Sequence, residues 1–167
     1  MKNNIILIGM PGVGKSTIGV ILAKILGYHF IDSDLIIQHQ EKRLLKEIIE
    51  QDGIDGFLSI ENNVNATLEA TNSIIATGGS AVYGKDAMAH FQQTGRIIYL
   101  RLDFEQLKKR LGNIKNRGVV VREGQTLYDL YKERTPLYEK YADIIIDEDG
   151  KDPEETIAAI IEALTKS

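Results

Sequence analysis

The chain is 167 residues long, 43% apolar and 26% charged, the make-up of one folded domain with a buried core, which excludes a disordered polymer. With 24 acidic and 20 basic side chains the net charge is −4, which argues against a surface built for nucleic acid or anionic lipid. The absence of cysteine excludes a disulfide framework, a thiolate metal site and a thiol nucleophile. The charge is unevenly spread: Lys108, Lys109, Arg110, Lys115, Arg117 and Arg122 fall in one stretch without an acid among them.

In chain order, Asn4 to Ile8 is a short apolar run stopped by glycine, the pattern of a buried parallel strand. It is too short for a signal-peptide core, and no stretch approaches the roughly 18 apolar residues of a membrane span. A soluble, cytoplasmic protein is the expectation. Ile18, Ile21, Leu22 and Ile25 recur at helical spacing over 15–27, ending at Gly27. Tyr28 to Ile31 predicts a second strand, and residues 33 to about 70 a helical region broken near Asp52-Gly53. Ser73 to Thr77 predicts a third strand and Arg96 to Leu102 a fourth. Helical patterns follow at 103–111 and 126–141, then a fifth strand at Asp143 to Asp147 and a helix over 153–165. Strands alternating with helices predict an α/β fold, a parallel sheet with helices on both faces.

Chemistry enters at the first loop. Gly9-Met10-Pro11-Gly12-Val13-Gly14-Lys15-Ser16 satisfies G-x-x-x-x-G-K-[ST] at every fixed position, between a predicted strand and a predicted helix. Gly12 and Gly14 let successive backbone N–H groups turn inward around phosphate oxygens, and the helix that follows aims its first amides at the same anion. Lys15 can reach the β and γ phosphates, and Ser16 can offer a hydroxyl to Mg²⁺. Thr17 stands where a dinucleotide fingerprint needs its last glycine, which disfavours that reading. The chain lacks the Asn-Lys-x-Asp guanine motif. Its second strand ends in Asp32-Ser33-Asp34 and its third in Ala76-Thr77-Gly78-Gly79, two carboxylates and a bare backbone at the sheet edge where ligands bind. Together these features point to transfer of phosphate to a small molecule.

Six pieces, in order and spacing, resemble the shikimate kinase family of nucleoside-monophosphate-kinase-like P-loop proteins. They are Gly9 to Thr17, Asp32-Ser33-Asp34, Gly53-x-x-Gly56-Phe57-x-x-x-Glu61, Ala76-Thr77-Gly78-Gly79, Arg110 with Arg117 seven residues on, and Glu133-Arg134-Thr135-Pro136-Leu137-Tyr138. The resemblance implies one P-loop kinase domain over 1–167, a three-layer P-loop NTPase fold with a five-stranded parallel sheet of order 2-3-1-4-5. It also implies acceptor-binding helices over about 33–61 and a lid over about 112–124. ATP with Mg²⁺ would phosphorylate the 3-hydroxyl of shikimate, a step of aromatic amino acid biosynthesis. Gly12, Val13, Gly14, Lys15, Ser16 and Thr17 would hold the phosphates, and Ser16 and Asp32 the Mg²⁺. Arg110 and the segment around Pro153 would flank the adenine. Asp34 would meet the acceptor hydroxyl, Arg117 would reach over the transferred group from the lid, and Arg134, Gly78 and Gly79 would line the acceptor pocket. Lys15, Asp34 and Arg117 are thus the expected catalytic residues, and a monomer binding only small molecules, neither nucleic acid nor membrane, is the expected form.

The acceptor side departs from the family. Where the family has Gly-Phe-Arg-x-x-Glu, with the arginine on the shikimate carboxylate, this chain has Gly56-Phe57-Leu58-Ser59-Ile60-Glu61. Losing that charge-assisted contact costs about 2–3 kcal/mol. Ser80 replaces a third glycine, and Arg117-Gly118 replaces Arg-Pro. Glu61, without an arginine beside it, reads either as a solvated or serine-bonded helix carboxylate or as a group facing an amine or hydroxyl of another acceptor. The alternatives are therefore the same machinery acting on a different polyol, sugar acid or amino alcohol, or a nucleotide-binding relative without turnover, against which the intact donor side speaks. Asp103 reads as a helix cap rather than a metal ligand. His29, His39 and His90 lack ligand spacing, the stripe Tyr128, Tyr131, Tyr138 and Tyr141 reads as core, and Arg101 and Arg122 as solvated cations.

Overall fold

Parallel strands require long crossovers, and each apolar run in this chain is followed by at least one helix that carries the chain back. In a computed structural model, which describes residues 2–112 and 119–167, the strands are β1 (Asn4–Ile8), β2 (His29–Asp32), β3 (Ser73–Ala76), β4 (Gly95–Arg101) and β5 (Ile144–Asp147). They form one parallel sheet of order β2-β3-β1-β4-β5. The helices are α1 (Lys15–Leu26), α2 (Ser33–Glu41), α3 (Leu45–Ala66), α4 (Lys85–Thr94), α5 (Phe104–Leu111), α6 (Leu127–Tyr141) and α7 (Pro153–Thr165), disposed on both faces. Every residue of β1 is buried, in keeping with its central place and unbroken apolar sequence. A second, smaller core of Ile37, Ile48, Phe57, Val64 and Val120 holds α2 and α3 together beside the sheet. Among the described residues no helix is long and apolar enough to cross a membrane.

The helical region after β2 is two helices. Lys42 takes a left-handed conformation (φ 54°) and ends α2 without a glycine or proline to announce it. The corner is held by Arg43, whose guanidinium donates to Glu41, Gln51 and Asp52. The break expected at Asp52-Gly53 is a kink inside α3, where Gly53 adopts φ 76°, ψ 174°. Helix α4 has no counterpart among the sequence expectations. It has no side-chain cap of its own; Asn62 on α3 reaches across to accept from the Ala87 N–H at 2.9 Å. A start signal supplied by another helix is invisible to a local pattern.

Candidate active site

The phosphate loop links β1 to α1. Gly12 (φ 88°) and Gly14 (φ 90°) both occupy the left-handed region, which turns the loop around its own amides. Gly14 caps α1 without a side-chain hydrogen bond, so the first helical amides are left for an anion. Lys15 is buried and its Nζ donates to the Gly9 and Met10 carbonyls at 2.7 and 2.9 Å. Burial pushes its pKa down to about 8, against the pull of Asp34, Glu148 and Asp32.

Two carboxylates stand where β2 gives way to α2. Asp32 caps the helix by accepting from the Asp34 N–H at 3.0 Å, and its other oxygen accepts from the Ser16 hydroxyl at 3.4 Å. A hydroxyl and a carboxylate side by side at the end of a phosphate loop are hard oxygen donors that would suit Mg²⁺. Asp34 Oδ1 is buried without a hydrogen-bond partner among the described residues. Burial, and then the neighbouring Asp32, push the Asp34 pKa up to about 6.

A cavity of about 310 Å³ opens between these groups. The loop residues Gly12, Gly14, Lys15, Ser16 and Thr17 form one wall, Asp34 another, and Thr77, Gly78, Gly79 and Ser80 the floor. Arg134 enters from α6 and is only 1% exposed. Its Nη2 donates to the Val120 carbonyl at 2.9 Å and its Nε to the Tyr83 hydroxyl at 3.3 Å. The floor has no room for a side chain at either glycine: a Cβ on Gly79 would lie 2.7 Å from Pro11 Cδ and 2.8 Å from Arg134 Nη1. One on Gly78 would lie 2.7 Å from Asp34 Oδ1 and 3.1 Å from Glu61 Oε2.

Leu58 stands apart from this constellation. Phe57, its neighbour on α3, faces the main cavity, while Leu58 points into a smaller one of about 40 Å³ with Ile54, Leu130 and Arg122. Val120 walls both cavities and separates them. The expectation that Leu58 lines the acceptor pocket is therefore corrected: successive helix positions diverge by about 100°, and Phe57 takes the inward direction. Glu61 is serine-bonded rather than solvated. It is 2% exposed and accepts from Ser80 Oγ at 2.7 Å through Oε1, while Oε2 is buried without a partner among the described residues. It lies behind Gly78 and does not line the main cavity. Burial pushes its pKa up to about 7, with the Ser80 hydrogen bond opposing.

A second cavity of about 180 Å³ adjoins the first at Gly14 and Thr17 and is lined by Val13, Arg110 and Pro153. Arg117 lies outside the described residues, as does part of the expected lid, residues 113–118. Asp103 caps α5 by accepting from the Glu105 N–H. Arg101 pairs with Asp147 and Arg122 with Asp55, both in exposed positions. Of the tyrosine stripe, Tyr138 is buried and donates to the Gly79 carbonyl at 2.6 Å, whereas Tyr128 is exposed. No group of three or more His, Cys, Asp or Glu side chains is placed to hold a metal among the described residues. The sequence reading missed Glu148, which follows β5 at the ligand-binding edge of the sheet, the same signal that drew attention to Asp32 and Asp34.

A parallel sheet with a glycine-lined phosphate loop at the end of its central strand, and a second cavity wall of carboxylate and arginine, defines a P-loop phosphotransferase. Residues 11–165 match the family model described as shikimate kinase. The chain is 34% identical to shikimate kinase 2 of Yersinia enterocolitica, the match covering 98% of this chain and 97% of that protein. It superposes with a TM-score of 0.88 on a shikimate kinase from Acinetobacter baumannii in complex with shikimate, at 30% identity over 99% of this chain and 94% of that one. For the shikimate kinase from Aquifex aeolicus the TM-score is 0.81, at 30% identity over 97% and 96%. The chain belongs to the shikimate kinase family, and is an ATP-dependent phosphotransferase acting on a hydroxyl.

Proposed function

We propose that the protein transfers the γ-phosphoryl group of ATP to the 3-hydroxyl of shikimate. The observation that carries this reading is the pairing, in one cavity, of the Asp34 carboxylate with the buried Arg134 guanidinium. Arg134 makes no ion pair among the described residues, so an acceptor carboxylate is its natural counter-charge. Asp34 then orients a hydroxyl at the opposite side of the ring. Ser16 and Asp32 would hold Mg²⁺, which when bound neutralises phosphate charge. Gly12, Val13, Gly14 and Thr17 wrap the phosphates, Lys15 offers its ammonium to them, and Arg117 covers the transferred group from the lid.

Phosphoryl transfer passes through a loose transition state that asks for alignment and charge stabilisation more than covalent participation. Asp34 holds the acceptor hydroxyl in line and takes its proton late, when the new bond is nearly made. Lys15 stabilises the charge that accumulates on the leaving oxygens. Gly78 and Gly79 let the acceptor approach the sheet edge, where any Cβ would intrude.

A second reading, another polyol, sugar acid or amino alcohol as acceptor, is favoured by one observation. Leu58 brings no cation to the acceptor side, which leaves Arg134 alone for a carboxylate. ATP consumption across shikimate, quinate, gluconate, inositol and homoserine decides between the two. Shikimate is expected to give the highest kcat/KM, and a faster rate with another acceptor overturns the first reading.

A further inference from the structure

Glu148, like Glu61, is a buried acid that the transfer chemistry leaves unused. It is 4% exposed, its Oε1 has no hydrogen-bond partner among the described residues, and it lines the second cavity beside the phosphate loop. A buried carboxylate oxygen without a donor is costly in a folded chain unless a ligand supplies one. Neighbouring cations do not fill the role. Arg110 Nη1 lies at 3.8 Å, beyond hydrogen-bonding distance, and Lys151 Nζ is engaged by the Asp147 carbonyl at 2.7 Å.

The shape and chemistry of the cavity identify its occupant. It continues from the phosphate cavity through Gly14 and Thr17, so a ligand with phosphates on the loop extends into it. Val13, Ile18 and Pro153 give it apolar walls and Arg110 a guanidinium plane, surfaces on which a flat heterocycle stacks. One acceptor oxygen in such a slot calls for an N–H on the rim of that heterocycle. We propose that Glu148 is a specificity-determining residue of the donor site, accepting a hydrogen bond from the 6-amino group of adenine and so selecting ATP over 6-oxo purine nucleotides.

A site built around a hydrogen bond rejects the analogue that lacks the donor, because its own polar group is then left unpaired. Inosine triphosphate is the sharper probe still, since its 6-oxo oxygen would face Glu148 acceptor to acceptor. The test is the dissociation constant of each nucleotide with Mg²⁺, measured by calorimetry on the full chain without any acceptor, so that it stands apart from the identity of the acceptor. ATP is expected to bind at least tenfold more tightly than inosine triphosphate, with purine riboside triphosphate, which has hydrogen at position 6, in between. Glu148→Ala is expected to bring the ratio near one by weakening ATP. Glu148→Gln is expected to narrow it instead by strengthening inosine triphosphate, because the amide can donate to the 6-oxo group. A purely structural Glu148 would weaken all three nucleotides together and leave the ratio unchanged. That result overturns the proposal, as does a wild-type protein that binds inosine or guanosine triphosphate as tightly as ATP. The wild-type comparison needs no variant to fold.

Discussion

Glu61 is held by one short hydrogen bond and a great deal of protein. With its pKa raised from 4.5 to about 7, the folded state keeps a proton that the unfolded chain has already released. Its contribution to stability is therefore full below pH 4.5 and is lost progressively as pH rises to about 7, beyond which it is flat. Glu61→Gln has no proton to lose. The melting temperature of the variant relative to wild type is expected to climb between pH 4.5 and 7 and then level off, and a difference independent of pH would refute the buried-carboxylate account. Removing the hydroxyl in Ser80→Ala strands the second oxygen as well, at a cost of about 1–3 kcal/mol in urea denaturation. Lys15→Ala tests the chemistry rather than the fold: kcat is expected to fall about 100-fold or more while the melting temperature changes little.

At the scale of elements, the kink of α3 rests on Gly53, whose backbone angles (φ 76°, ψ 174°) lie in a region open to glycine almost alone. Nothing lies within 4 Å of where a Cβ would stand, so Gly53→Ala isolates the backbone cost, about 1–3 kcal/mol by denaturant titration. A loss near zero would mean that the corner straightens without penalty. The same kink shows what the sequence discloses. Asp52-Gly53 marked it, the apolar runs marked all five strands to within a residue or so, and the spacing of the phosphate loop marked the donor site. The end of α2 at Lys42 and the start of α4 did not show, because the first is held by Arg43 side-chain bonds and the second by Asn62 from a distant helix. Leu58 was readable as a departure but not as a residue facing elsewhere, since helix rotation is fixed by the packing of Phe57. Glu61 and Ser80 were both singled out, yet only the folded chain brings α3 and the turn after β3 within hydrogen-bonding distance.

For the molecule as a whole, a chain with net charge −4 must attract a highly anionic nucleotide, and the six basic side chains between 108 and 122, with no acid among them, are expected to reverse its field locally. Such attraction acts through solvent and is screened over about 10 Å at 0.1 M salt. Raising salt from about 0.05 to 0.5 M at constant Mg²⁺ is expected to weaken ATP binding several-fold, while binding of an uncharged acceptor such as inositol is insensitive to it. Equal salt sensitivity for both would remove the case for steering. The sheet order bears on how such a protein changes over time. Because β3 lies between β1 and β2, the phosphate loop and Asp34 stand two strand spacings apart, roughly 10 Å, a separation set by backbone hydrogen bonds and not by any side chain. Ser80 lines the cavity from a turn off those strands, so a substitution there can reshape that wall without altering the span between them.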